Sequence, residues 1–115
     1  MDTASDLRIA ILVGTLPAPG DALLVPLGSR IPAGFYGINV ALDAASHHPL
    51  GCACCAQRGA IPAALAAMFR ARATGTAPFF KRIIVLAPQS IRPVIEQAVR
   101  EDIFAASRYR VQPEG

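Results

Sequence analysis

Leu7-Arg8-Ile9-Ala10-Ile11-Leu12-Val13-Gly14 is an almost unbroken run of apolar, mostly branched side chains that stops at a glycine. A strand that leaves one face in water alternates apolar with polar residues. A run without alternation is apolar on both faces, which is how a buried parallel strand reads. A second such run is Lys81-Arg82-Ile83-Ile84-Val85-Leu86-Ala87. Parallel strands need crossover connections, so helices are expected between and after them.

Those helices are legible. Across Arg58 to Ala73, Ile61, Leu65, Met68 and Phe69 form one stripe, with Arg58, Arg70 and Arg72 off it. Pro62 is tolerable in the first turn, and Thr74-Gly75-Thr76 stops the helix. Ser90 is placed to cap a further helix with the stripe Ile91, Val94, Ile95, Ala98 and Val99, and Glu96 pairs with Arg100 on its wet side. A short helical turn follows at Asp102 to Ala106, then a final strand from Tyr109 to Gln112. Between the first strand and the first helix the pattern is weaker. Thr15 to Asp21 holds two prolines and a glycine and is a loop. Ala22 to Leu27 fits either a helix capped by Asp21 or a short strand, Pro26 lying too deep for a first-turn proline. Ala33 to Leu42 reads as a strand interrupted by Gly34 and Gly37, and Ala44 to Gln57 reads as loop. The expectation is one α/β domain over 1–115, with three layers: a small, mostly parallel sheet and helices on both faces. In such folds ligands meet the carboxyl ends of the strands, where Thr15 to Asp21 and Pro88 to Ser90 fall.

At 115 residues and 53% hydrophobic the chain has enough apolar material for a core, much of it alanine. No apolar run approaches the roughly 18 residues of a membrane span, and Met1 to Asp6 is polar and acidic rather than signal-like. The expectations are no membrane and a cytoplasmic location. The net charge of +3 comes from cations dispersed along the sequence, densest at Arg70/Arg72, Lys81/Arg82 and Arg108/Arg110. Nucleic-acid binders gather cations with interleaved aromatics, so the dispersal argues for no nucleic acid.

The most unusual stretch is His47-His48-Pro49-Leu50-Gly51-Cys52-Ala53-Cys54-Cys55, which holds both histidines and all three cysteines. Three thiols and two imidazoles so close together make a soft donor set suited to zinc. Buried free cysteines behave as small hydrophobes, but scattered ones fit that role better than a cluster beside two histidines. Cys54 and Cys55 are adjacent and supply about one ligand between them. With Cys52 and one of His47 or His48 that makes three protein ligands and an open position, which suits transfer better than a structural site.

Gly51-Cys52-Ala53-Cys54-Cys55 followed by Arg58 resembles the G-C-x-C-C motif of the CobW family of P-loop GTPases, many of which handle zinc or cobalt. Pro78-Phe79-Phe80-Lys81-Arg82-Ile83-Ile84-Val85, Arg92-Pro93-Val94-Ile95 and Arg108-Tyr109-Arg110-Val111 are similar to later family segments, and the likeness runs over residues 7 to 112. It implies a P-loop NTPase-like but degenerate fold, truncated to the N-terminal half. It also sets Gly14 at the first glycine of the phosphate-binding loop, Pro19 at the second, Gly20 at the lysine and Asp21 at the serine or threonine. Pro17 and Pro19 remove two backbone N–H groups from a phosphate cradle, and no lysine meets the β- and γ-phosphates. Leu86-Ala87-Pro88-Gln89-Ser90 replaces the acidic switch, Gly59-Ala60 replaces the acidic residue after Arg58, and no N-K-x-D motif follows. The expectations are therefore no GTPase activity, no bound nucleotide and no other catalytic role.

Three classes of function follow. The first is a zinc-binding accessory protein using Cys52, Cys54, Cys55 and one of His47 or His48. The second is a metal-independent interaction module, with a protein partner or a homodimer on surface left apolar by the missing half. The third is a thiol redox protein with Cys52 or Cys54 reactive near the N-terminus of the helix at Arg58. Cys52 and Cys55 do match C-x-x-C, but a long loop separates them from the preceding strand, unlike the thioredoxin arrangement. Asp43 is the nearest carboxylate to the histidines and Ser46 lacks a nucleophile-elbow context, so no catalytic constellation forms.

Overall fold

The computed structural model describes residues 7–42 and 59–112. The first apolar run forms strand β1 (Ile9–Val13) and the second forms β4 (Arg82–Val85). They pair in parallel, Ile11 opposite Ile83 and Val13 opposite Val85. The uncertain segment resolves as a strand, β2 (Ala22–Pro26), parallel to β4. The helix alternative fails because Asp21 turns to Arg82 instead of capping a turn. Strand β3 (Tyr36–Val40) is shorter than the expected Ala33 to Leu42. Gly34 has φ +90, and the Phe35 N–H donates to the Pro32 carbonyl, so that end is spent on a turn. With β5 (Tyr109–Val111) the sheet is wholly parallel in the order β3-β2-β4-β1-β5.

Helix α1 is Ala60–Thr74, starting two residues later than expected because Gly59 takes φ 84 and stands at the N-cap. Gly75, left-handed at φ 86, ends it. After β4, Gln89–Ile91 makes a single 3₁₀ turn and α2 runs over Arg92–Glu101. Ser90 does not cap α2: the cap residue is Ile91, with no side-chain bond. A cap at Ser90 would place Pro93 third in the helix, where an N–H is needed and proline has none. Glu96 pairs backward with Arg92 at 3.4 Å rather than forward with Arg100. Helix α3 is Ile103–Arg108, capped by Asp102, whose carboxylate accepts from the Ala105 N–H at 3.0 Å.

One core joins Ile11, Val13, Leu24, Ile83 and Val85 to Leu65, Met68, Ile95, Val99 and Ala105, so the three described helices cover the same face. On the other face Leu23, Val25 and Ile84 pack with Ile31 and Phe35 of the β2–β3 connection. The parallel α/β design stands, but among the described residues the second face is covered by loop, not helix. Tyr109 ties the layers together, its buried hydroxyl donating to the Leu65 carbonyl at 2.7 Å.

Candidate functional site

In a parallel sheet the crevice that takes ligands lies where two neighbouring strands send their connections in opposite directions. Here those strands are β4 and β1. The chain leaves β1 toward β2, across β4, and leaves β4 toward β5, across β1. Gly14 sits at this point, its N–H donating to the Val85 carbonyl at 3.0 Å. Its φ of +73 suits glycine, and an added Cβ would meet Gln89 Nε2 at 3.1 Å and the Ala87 carbonyl oxygen at 3.4 Å. The Gln89 side-chain amide donates to the Val13 carbonyl. Gln89 thus joins the ends of β1 and β4 at this point, a role the sequence reading does not assign to it.

The loop after β1 is not built as a phosphate cradle. Such a cradle opens a helix, whereas residues 14–21 lead directly into β2. Register separates its two ends as well. Val13 is level with Val85, whereas Ala22 is level with Ile83. Gly14 and Asp21 are thus about four residues apart along the strand direction, about 13 Å at the usual rise. Asp21 is also committed elsewhere. Its carboxylate accepts from Arg82 Nε at 3.1 Å, Arg82 Nη2 at 2.6 Å and the Ala18 N–H at 2.8 Å. Hydrogen bonding from Arg82 holds the Asp21 carboxyl below the ordinary range despite the opposing effect of burial. The same pair raises Arg82. Pro19 and Gly20 are exposed on the intervening turn, closed by the Asp21 N–H on the Ala18 carbonyl.

Cys52, Cys54, Cys55, His47 and His48 lie outside the described residues, as does the expected loop from Ala44 to Gln57. The points from which that segment departs and returns are described. Leu42 is buried just beyond the carboxyl end of β3, and Gly59 begins α1. Among the described residues no three histidine, cysteine or acidic side chains gather into a metal-binding group.

Six of the dispersed cations fall at the opposite edge. Arg8 precedes β1, Lys81 and Arg82 open β4, Arg70 and Arg72 close α1, and Arg108 closes α3 into β5. Parallel strands all begin at one edge and the crossover helices end there, so topology collects residues that sequence distance separates. Arg8, Arg72 and Arg108 line one cleft of about 430 Å³ with Leu7, Ile9, Phe69 and Ser107.

Searches against family models, curated proteins and solved structures find no match to the chain. No described helix is long and apolar enough to cross a membrane.

Proposed function

We propose that this chain is a non-hydrolysing, CobW-like metal-binding accessory protein that holds zinc through Cys52, Cys54 and Cys55 with one of His47 or His48. The donor set carries the reading: three thiols and two imidazoles within nine residues, following the G-C-x-C-C pattern. Its chemistry fits zinc, which takes thiolate sulfur and imidazole nitrogen in tetrahedral sites. The described residues on either side of it are Leu42, buried beyond the carboxyl end of β3, and Gly59, the N-cap of α1. Ligand-bearing loops of parallel α/β folds occupy that edge.

The absence of hydrolysis is proposed on separate grounds. Gly14 is packed against Gln89, Asp21 is held by Arg82, and the loop between them opens a strand. A nucleotide there lacks both the helix N-terminus and the lysine that would hold its phosphates. The test is a zinc competition titration of the reduced protein against a chromophoric chelator, alongside titration with a fluorescent GTP analogue. The expected result is one zinc per chain, lost on replacing Cys52, or Cys54 and Cys55 together, by serine, with no saturable GTP binding. Zinc affinity unchanged in those variants would reject the ligand set, and tight GTP binding would reject the reading that no nucleotide is held.

A further inference from the structure

We infer that the amino edge of the sheet is a binding surface for single-stranded nucleic acid, with Arg72, Arg108 and Lys81 meeting phosphates and Phe79 stacking on a base. The cleft formed by Arg8, Arg72 and Arg108 has Phe69 in its wall, and none of the described residues lining it is acidic. Each flanking guanidinium lies over an aromatic ring: Arg72 is 3.8 Å from the Phe79 centroid, and Arg108 is 5.1 Å from that of Phe69. Phe79 is 68% exposed, which leaves ring surface open to a stacking base. Cations that track phosphates, interleaved with rings that stack on bases, are what sequence-independent single-strand binding requires.

Two competing explanations are weaker. Cations near helix C-termini are commonly placed to offset the helix dipole, and Arg72 does donate through Nε to the Phe80 carbonyl at 2.7 Å. Lys81 and Arg70, however, are exposed, and among the described residues neither they nor Arg72 and Arg108 pair with a carboxylate. The nearby acids are engaged on the far side of Phe69: Asp102 caps Ala105, and Glu101 accepts from the Gln97 amide at 2.9 Å. An acidic peptide is the other candidate occupant. It would use the cations but make no use of the Phe79 ring.

The test is fluorescence anisotropy of the full chain with a labelled oligothymidine of about twenty nucleotides, in EDTA to exclude any metal effect. Three or four neutralised phosphates predict a log–log salt slope of about −2 to −3. Phe79→Ala is expected to weaken binding by about fivefold or more with the slope retained. Arg108→Glu is expected to weaken it further and flatten the slope, whereas Arg30→Glu, the same charge change in the β2–β3 connection, leaves it within about twofold. Should Arg108→Glu disturb α3, Arg108→Gln is expected to lower the slope by about 0.7 with the circular dichroism unchanged. No saturable binding at low salt would overturn the inference. So would equal losses in Arg30→Glu and Arg108→Glu, no effect of Phe79→Ala, or equally effective competition by polyglutamate.

Discussion

Replacing Asp21 by asparagine is expected to cost about 2 kcal/mol of stability. The carboxylate takes two bonds from Arg82 and one from the Ala18 N–H, and its residue is only 9% exposed. Asparagine keeps the shape and one acceptor, but turns N–H donors or a neutral oxygen toward a guanidinium. Breaking a fully buried pair costs about 3–5 kcal/mol. The Arg82 side chain is 37% exposed and can rehydrate, which brings the figure down to about 2. For 115 residues the unfolding entropy is about 0.24 kcal/mol/K, so the midpoint falls by about 8 °C. Thermal and urea unfolding of Asp21→Asn, Arg82→Gln and the double variant supply the check, with a coupling of about 1 kcal/mol expected between the two sites. The pH dependence has a fixed sign. The folded carboxyl titrates below its ordinary 3.8, so its contribution is complete above that value and is lost as pH falls through the folded one. The advantage of the wild type over Asp21→Asn therefore shrinks in acid. A midpoint shift under about 2 °C, or an advantage that persists undiminished into strong acid, would refute the pairing.

Gly14→Ala is expected to cost about 1–3 kcal/mol, from its positive φ and the approach to Gln89. Gly75→Ala, with the same backbone strain but nothing within 4 Å, should cost less in the same unfolding assay. Tyr109→Phe removes the bond to the Leu65 carbonyl and is expected to cost about 1 kcal/mol. Burial raises the Tyr109 hydroxyl above its ordinary 10.0, so the unfolded chain ionises first. Wild-type stability is then expected to fall as pH rises past about 10, and the fall should be smaller in Tyr109→Phe.

The two central strands were legible because Ile9 to Val13 and Ile83 to Val85 are apolar at every position, which burial on both faces requires. Helix α1 was legible from its stripe. Strand β2 was not, because Asp21 is equally a capping residue and an ion-pair partner, and its partner Arg82 is far along the chain. Ser90 failed as a cap for a reason visible in the sequence, the proline three positions later. The one-sided placement of the described helices depends on which face each connection crosses, and residue patterns do not encode it. Nor could dispersal be judged from sequence: Arg8, Arg72 and Arg108 share a cleft only because parallel strands begin together. The cysteine cluster was the clearest chemical signal in the chain, and its five candidate ligands lie outside the described residues.

The most direct test of the zinc proposal is the metal content of untagged protein purified under reducing conditions, beside a Cys52/Cys54/Cys55→Ser variant. Near-stoichiometric zinc in the wild type, absent from the variant, is the expected result. No zinc in either protein, and none taken up when zinc is offered to the reduced wild type, would contradict it.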